Sequence, residues 1–249
     1  MKLEQYANQY TSMTMRREDG ILEVTFHTNG DSLRWGVIPH AEFPDAFADI
    51  ARDRDNKVVI LTGTGAEFSG PPGNLFVSSR PTAKFTENLI SEGKRLLMNL
   101  MSIEVPVICA VNGPAWRHSE IPLLNDIVIA SEDACFQDSA HFPAGVVPGD
   151  GVHIVYPMLL GQNRGRYFLL TGQVLDAKEA LRLGLVAEVM PRDRLMPRAR
   201  ELARMILERP EVMVRHTRAL LSEPIKRALL QDLAHGLNSE CLALMDRPL

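Results

Sequence analysis

The 249-residue sequence predicts an α/β protein, in which strands and helices alternate over the first 190 residues and helices dominate the rest. Three continuous apolar runs, at residues 58–62, 107–111 and 127–130, are typical of parallel strands that are buried on both faces. Apolar residues at helical spacing lie before and between these runs, at 39–52 and 89–103. Because 45% of the residues are hydrophobic, the chain can also bury a sizeable core.

Local patterns predict the remaining elements. Residues 13–17 and 21–26 alternate apolar and polar side chains around Glu18-Asp19-Gly20, which predicts a β-hairpin. Further helices are predicted at 152–160, 166–170, 177–183, 195–207 and 212–221, a short strand at 186–189, and a last helix from Pro224 to about residue 245. We therefore expect strand–strand–helix units in residues 1–190 and a helical C-terminal region in residues 191–249.

The charge and the cysteine pattern exclude several classes of protein. The chain carries 27 basic and 31 acidic side chains, and its net charge of −4 is unlike that of a nucleic-acid-binding protein. Its three cysteines lie far apart, outside CxxC pairs, and are expected to be buried thiols in a reducing compartment. The sequence shows neither a signal-peptide core nor a membrane-spanning apolar run. We expect a cytoplasmic protein that binds neither membranes nor nucleic acids.

The segment 140–151 is the strongest candidate for chemistry, since it joins two elements and is rich in Gly and Pro. It carries one imidazole, His141, and one carboxylate, Asp150, which lies between two glycines. A His that is oriented by an Asp can activate water near neutral pH. Each residue also has a structural alternative, since Asp150 could be the N-cap of the following helix and His141 could be a hydrogen-bonded structural histidine.

Two other loops carry candidate side chains. One follows the strand predicted at 107–111 and offers His118 and Glu120; ligands of α/β sheets usually bind at such strand ends, although a surface turn is the alternative. The other offers Trp35, whose indole could line a pocket or belong to the core, and His40, which could equally lie at the surface.

Helical phase singles out Glu240. The last predicted helix has an apolar stripe, and Glu240 lies three residues after Leu237 and four before Leu244 on that stripe. It is therefore expected on or beside the buried face, where a carboxylate needs a partner or a function. The alternative is a Glu at the edge of the stripe that reaches solvent or an Arg.

No cofactor motif accompanies these residues. The sequence contains no GxSxG, Walker A or GxGxxG motif, and its seven histidines show no HxxxH or HxH spacing. We therefore expect neither a metal nor an organic cofactor.

Four segments resemble the crotonase superfamily, the enoyl-coenzyme A hydratases and isomerases. They are KVVILTG at 57–63, VPVICAVNG at 105–113, NDIVIA at 125–130 and VPGDG at 147–151, and segments at 170–172, 177–180 and 184–186 continue the likeness in the same order. The resemblance implies a crotonase-like spiral of ββα units with a helical C-terminal region. It also implies a homotrimer or a dimer of trimers, in which the C-terminal region takes part in trimerisation and covers the active site.

The sequence departs from the coenzyme A–dependent members at three places. At 67–74, EFSGPPGN replaces the Ala-Gly-x-Asp core of their first oxyanion-hole loop, and at 116–119 WRHS replaces a run of three glycines. Bulky side chains there would keep a thioester carbonyl away from backbone N–H groups. Ala140-His141 stands where their second catalytic Glu would fall, whereas Glu120 aligns with the first.

At these places the sequence is similar to one branch of the superfamily, the β-diketone hydrolases that include 6-oxocamphor hydrolase. The shared features are His141-Phe142-Pro143, the turn at 148–151, the segment 161–172 and the loop 35–40. This likeness implies a hydrolase that cleaves a C–C bond of a cyclic β-diketone by a retro-Claisen reaction and gives a keto acid. No cofactor is implied, because the substrate itself accepts the electrons.

The same likeness implies a role for each candidate residue. His141 and Asp150 match a dyad that activates water, with Asp150 holding the tautomer of the imidazole. His118 matches a catalytic donor to a substrate carbonyl, and Trp35, His40 and Glu240 match residues that bind the diketone.

Two other functions stay open from the sequence. Glu120 is compatible with a coenzyme A–dependent enoyl hydratase or isomerase, and the fold is compatible with a non-catalytic binding module. Phe68, Leu75 and Phe76 are expected to line the pocket and to influence whether a bicyclic or a monocyclic diketone fits.

Overall fold

A computed structural model describes residues 1–72 and 81–246 and shows eight strands in this part of the chain. In chain order they are β1 Met13–Glu18, β2 Ile21–Phe26, β3 Val58–Gly63, β4 Val107–Val111, β5 Ile127–Ser131, β6 Cys135–Phe136, β7 Leu175–Asp176 and β8 Glu188–Met190. Six of them form one sheet in the order β1-β2-β3-β4-β5-β8, parallel throughout except for the β1–β2 hairpin. The α/β class, the hairpin and the three buried strands are confirmed, whereas β8 begins two residues later than predicted.

Eight α-helices lie in the described residues. They are α1 Val37–Arg52, α2 Ala83–Met101, α3 Glu120–Leu123, α4 Val152–Leu160, α5 Gln162–Thr171, α6 Ala177–Arg182, α7 Arg192–Leu207 and α8 Glu211–Asp246. Every predicted helix corresponds to one of them, although the predictions at 89–103 and 177–183 run two residues and one residue past the observed ends of α2 and α6. None of the helices in the described ranges is long and apolar enough to cross a membrane.

The division of the last region into two helices is wrong. Residues 211–246 form the single helix α8, with Pro224 inside it. Proline removes the N–H that would bond to the carbonyl four residues earlier. Here that carbonyl belongs to Leu220, whose side chain is 76% exposed, and Pro224 is exposed as well. Water can therefore satisfy the carbonyl, and the buried residues on either side keep the helix continuous.

Alternate residues of the central strands pack into two separate cores. Leu61 and Cys109 face the helices α1 and α2, which contribute Phe43 and Leu97 to the larger core. Their strand neighbours, such as Ile60, face α7 in a smaller core. Because both faces of these strands are buried, their sequences are continuous apolar runs. All three cysteines are free and buried, as expected.

A second, shorter layer of pairing links the segments that follow the long strands. Parallel bridges join Arg34 to Gly70, Ser69 to Ala115, and Ala115 to Phe136. Each segment therefore makes one further strand-like pairing after its long strand, which produces the repeated ββα turns of the crotonase-like spiral. The loops that leave this layer carry the candidate residues of three separate segments into one place.

The C-terminal helix α8 packs against α2 and α4. It comes close to the turn before α4 at Gly236, where an added Cβ would lie 2.2 Å from Cε1 of His153 and 2.4 Å from the carbonyl oxygen of Gly149. A Cβ on Gly149 would lie 2.1 Å from the carbonyl oxygen of Gly236. Backbone therefore touches backbone here, because neither position has a side chain.

Candidate active site

A small, partly open cavity of about 30 Å³ lies between α1, α2, α8 and the loops after β4 and β6. Phe85 and Leu89 of α2 and Leu237 and Leu244 of α8 supply its apolar lining. The polar lining consists of His40, Arg117, His118, His141, Asp150 and Glu240. Five of the six site residues predicted from the sequence are in this set, and the sixth, Trp35, packs against His118.

His141 is held from one side by Asp138. The imidazole Nδ1 lies 2.6 Å from Oδ1 of Asp138, and both side chains are buried. The expectation that Asp150 holds the tautomer is therefore wrong, because Asp150 faces the opposite nitrogen: its Oδ2 lies 3.5 Å from Nε2 of His141. A carboxylate at Nδ1 fixes that nitrogen as the N–H donor, so Nε2 is left as the basic nitrogen on the cavity side.

Three carboxyl groups favour the charged form of His141. Burial lowers the pKa of His141, but Asp138, Asp150 and Glu240 outweigh burial and raise this pKa well above its ordinary value of 6.5. Oε1 of Glu240 lies 3.6 Å from the same Nε2 atom. An imidazolium formed here is stabilised, as a base that removes a proton from water requires.

Asp150 is presented by a turn whose last residue, Gly151, has a φ of +116°. Gly151 is the N-cap of α4 and no side chain caps this helix, so the alternative role of Asp150 as an N-cap is wrong. Its Oδ2 instead lies between two imidazoles, 3.5 Å from Nε2 of His141 and 3.2 Å from Nδ1 of His118. Asp150 thus faces both candidate histidines from the glycine-rich turn at 148–151.

His118 has the left-handed φ of +48°, which is uncommon for a residue with a side chain and occurs often at functional sites. This conformation turns its ring toward the cavity, and its Nδ1 lies 2.8 Å from Oε1 of Glu120. Burial lowers the pKa of His118 to about 3, so the ring is neutral. Burial, together with Asp150, raises the pKa of Glu120 well above its ordinary value.

Trp35 and His40 are both buried, so the surface alternative for His40 is wrong. The Trp35 and His118 ring centroids are 4.0 Å apart. The indole Nε1 of Trp35 is buried and has no hydrogen-bond partner among the described residues. Nδ1 of His40 lies 2.8 Å from Oε2 of Glu92, which orients this ring beside the cavity.

Glu240 is buried, with 8% exposure, as its helical phase predicts. It lies one turn after Gly236, so the backbone contact of α8 with the turn at Gly149 brings it opposite Asp150. Burial raises the pKa of Glu240, whereas the neighbouring imidazole of His141 acts to lower it.

One backbone N–H group in each of the two departing loops is already bonded within the protein. The N–H of Gly70 donates to the carbonyl of Leu33 at 2.9 Å, and the N–H of Trp116 donates to the carbonyl of Ser69 at 2.9 Å. These donors are unavailable to a thioester oxygen. Phe68 packs in the core, 5.8 Å from the ring of Phe26, and does not line the cavity. Leu75 and Phe76 lie outside the described residues, as do the last two residues of the loop at 67–74.

His118, Glu120 and Asp150 also form a possible set of metal ligands, which the sequence spacing did not reveal. One ligand atom from each lies within 4.8 Å of the others. The same three atoms fit a shared proton equally, since the imidazole Nδ1 lies 2.8 Å from one carboxyl oxygen and 3.2 Å from the other.

Sequence reasoning missed two residues of the site. Asp138 precedes His141 by three positions, and an acidic residue this close to a candidate base is a signal that could have identified it. Arg117 is only 2% exposed and lines the cavity. Burial lowers its pKa to about 10, but it stays a cation beside Asp150, Asp138 and Glu240.

The fold and the site can now be compared with known proteins. The enoyl-CoA hydratase/isomerase family matches residues 16–239 of the chain, and the chain therefore belongs to this family. The crotonyl-CoA hydratase of Syntrophomonas wolfei is 29% identical over 212 residues, which cover 83% of this chain and 80% of that protein. The carnitinyl-CoA dehydratase of Citrobacter koseri is 32% identical over 170 residues, which cover 67% of this chain and 63% of that protein.

Solved structures extend the comparison. A β-diketone hydrolase from the cyanobacterium Anabaena sp. PCC 7120, bound to (S)-3-oxocyclohexyl acetic acid, superposes with a TM-score of 0.92 and 45% identity, covering 97% of both chains. An enoyl-CoA hydratase/isomerase from Mycobacterium paratuberculosis superposes with a TM-score of 0.84 and 24% identity over 95% of both chains, which supports the fold alone. The crotonase-like fold and the resemblance to β-diketone hydrolases are thus confirmed.

Proposed function

We propose that this protein is a hydrolase that cleaves a C–C bond of a cyclic β-diketone by a retro-Claisen reaction and releases a keto acid. One observation carries the proposal: His141, anchored at Nδ1 by Asp138, directs Nε2 toward Asp150 and Glu240 in a buried cavity. The 45% identity to the Anabaena β-diketone hydrolase over nearly the whole chain supports the choice of substrate class.

The first step is the activation of water by His141. A water molecule near Nε2 transfers a proton to this nitrogen, and the hydroxide adds to one carbonyl carbon of the diketone. Asp138 keeps the ring oriented, while Asp150 and Glu240 stabilise the imidazolium that forms. A positioned base of this kind contributes a factor of about 10²–10⁴ in rate.

The second step is the cleavage of the C–C bond. The tetrahedral oxyanion collapses to a carboxylic acid, and the electrons of the broken bond pass to the second carbonyl as an enolate. Trp35 Nε1 and His118 donate hydrogen bonds to substrate carbonyls, in place of the backbone donors bonded elsewhere. Arg117, the buried cation of the cavity lining, offsets the negative charge that develops.

His40 and Glu240 bind and position the diketone. His40 is buried at the cavity wall with its ring fixed by Glu92, and Glu240 closes the side formed by α8. The lining combines an apolar half with a polar half, which suits a small cyclic ligand that carries carbonyl groups.

We further propose that the chain acts in the cytoplasm as a homotrimer or a dimer of trimers, with residues 191–249 contributing to assembly and covering the cavity. α8 supports this, because it carries Leu237 and Leu244 to the cavity while exposing Leu220, Leu221 and Leu230 on its outer side. Analytical ultracentrifugation tests the assembly: a monomer at micromolar concentration would contradict it.

A single assay separates this function from the two alternatives. The purified protein is incubated with a cyclic 1,3-diketone, whose ultraviolet absorbance is lost on cleavage, and in parallel with crotonyl-coenzyme A. We expect rapid loss of the diketone and formation of a keto acid, but no hydration of the thioester. Hydration of crotonyl-coenzyme A would favour the hydratase function that the curated relatives suggest, and inactivity toward both would favour a binding module.

A further inference from the structure

The loop at residues 116–119 carries two polar groups of the cavity lining, Arg117 and His118. The left-handed φ of +48° at His118 is a conformation that a residue with a side chain keeps only where its surroundings hold it. The groups that hold this loop therefore also determine where the ring of His118 lies. Three buried hydroxyl groups from three different segments of the chain contact the loop.

Ser69, in the loop after β3, holds the first half of the loop by two hydrogen bonds. Its carbonyl accepts the N–H of Trp116 at 2.9 Å, and its hydroxyl donates to the carbonyl of Arg117 at 2.5 Å. Ser69 is only 2% exposed, so both bonds are shielded from water and are stronger than surface bonds. The second bond fixes the peptide group that joins Arg117 to His118.

Ser139 holds the same loop from the segment that carries the proposed base. It lies between Asp138 and His141 in the sequence. Its N–H, at 3.2 Å, and its hydroxyl, at 2.5 Å, both donate to the carbonyl of Trp116. These bonds connect the segment of His141 directly to the loop of His118. The proposed base and the proposed carbonyl donor are therefore held in register through Ser139.

The end of the loop is held by α4. The hydroxyl oxygens of Ser119 and Tyr156 are 2.6 Å apart, and both residues have 0% exposure. Tyr156 is itself fixed by the ring of Phe168, which stacks on it with the centroids 4.0 Å apart. Since α4 begins two residues after Asp150, this contact ties the loop to the segment that carries Asp150.

We propose that the hydroxyls of Ser69, Ser139 and Tyr156 form a clamp that positions His118 for the reaction. This hydroxyl clamp acts through the backbone of the loop, since none of its three residues lines the cavity. It holds the ring of His118 against Trp35, with the two centroids 4.0 Å apart. The inference rests on the proposed retro-Claisen function, in which His118 donates a hydrogen bond to a substrate carbonyl.

Removing the hydroxyls one at a time tests the clamp. Ser69→Ala, Ser139→Ala and Tyr156→Phe each delete one oxygen and leave the rest of the side chain in place. A displacement of about 1 Å at a catalytic group costs a factor of about 10² in rate. We therefore expect each single variant to lower kcat for a cyclic 1,3-diketone by about 10-fold, and the Ser69→Ala/Ser139→Ala double variant by about 10²-fold, with a smaller change in KM.

Two matched controls lose equivalent groups outside the site. Ser102→Ala removes a hydroxyl that donates to a backbone carbonyl at 2.7 Å, at the exposed end of α2. Tyr167→Phe removes the hydroxyl of a tyrosine that is 53% exposed. Both controls should keep the kcat of the wild type.

The NMR signal of the His118 ring gives a readout that a loss of stability alone does not move. Because the ring lies beside the Trp35 indole, the ring current of the indole shifts the Cε1–H signal of His118. His118→Gln identifies this signal by removing it. In the double variant the signal should move toward its position in an unfolded chain, and in Ser102→Ala and Tyr167→Phe it should stay in place.

Unchanged kcat in the folded double variant, or an unmoved His118 signal, would overturn the inference. If the double variant does not fold, Ser139→Ala decides in the same way, because the carbonyl of Trp116 keeps the N–H of residue 139 as a partner. If the wild type cleaves no diketone, the proposed function fails. The His118 signal then still tests the clamp, since it is measured without substrate.

Discussion

Asp138→Asn gives the sharpest test of the proposed base. The carboxylate of Asp138 contacts Nδ1 of His141 at 2.6 Å, so the two charge centres are about 4 Å apart when the ring is protonated. At an effective dielectric constant of about 20, that pair is worth about 4 kcal/mol. The amide oxygen of Asn keeps an acceptor for Nδ1–H, so we expect a net loss of about 3 kcal/mol, which lowers kcat by a factor of about 10².

The assay is the loss of absorbance of a cyclic 1,3-diketone, followed across a range of pH. Asp133→Asn is the matched control, because Asp133 lies in the turn just before β6 and is exposed. Thermal unfolding of both variants checks that the fold survives. The reasoning is refuted if Asp138→Asn folds normally and keeps wild-type kcat at every pH, since the orientation and charge of His141 would then not matter.

Further predictions concern pH, a donor, metals and stability. Since the base must be neutral and the pKa of His141 is raised, kcat/KM should rise with pH through a midpoint above 6.5, and Asp150→Asn should move this midpoint to lower pH. Trp35→Phe keeps an aromatic ring beside His118 but removes the N–H donor, so kcat should fall by a factor of about 10²–10³ while the melting temperature changes little. Dialysis against EDTA should leave diketone cleavage unchanged; loss of activity that zinc restores would instead assign the ligand set around Glu120 to a metal. Because the folded state raises the pKa of Glu120, the contribution of Glu120 to the free energy of unfolding is full below about pH 4.5 and is lost as pH rises, by about 1.4 kcal/mol per pH unit at most. Glu120→Gln should flatten this decline in urea-unfolding experiments. Parallel curves of stability against pH for the two proteins would contradict the raised pKa.

Elements with strong periodic patterns could be predicted from the sequence. The runs at 58–62 and 107–111 are apolar on both faces because helices cover both sides of the sheet there. The burial of Glu240 followed from its phase in the last helix, since a long helix keeps its register over several turns. The sequence predicts that a helix starts at Pro224, but Pro224 lies inside α8. The effect of a proline depends on whether the carbonyl that loses its hydrogen bond is exposed to water, and the sequence does not report exposure.

The site residues were found more reliably than their mutual geometry. His141 and Asp150 share the cavity as expected, but which ring nitrogen each carboxyl group faces is set by three-dimensional packing. Asp138, three residues before His141, takes the Nδ1 position, and a short 3₁₀ turn at Phe142–Ala144 begins directly after His141. Glu120 was noted for its alignment, but its distance to His118 depends on a left-handed backbone at His118 that no spacing rule predicts.

The contact between Gly149 and Gly236 has a consequence for how the chain can vary. At this point main-chain atoms set the distance between α8, which carries Glu240, and the turn that carries Asp150. A single methyl group at either glycine would push α8 away from this turn and displace the far end of the helix, which forms one wall of the cavity. The C-terminal helix is thereby fixed against the turn that carries Asp150, and a change at either glycine would alter the spacing of these two acids.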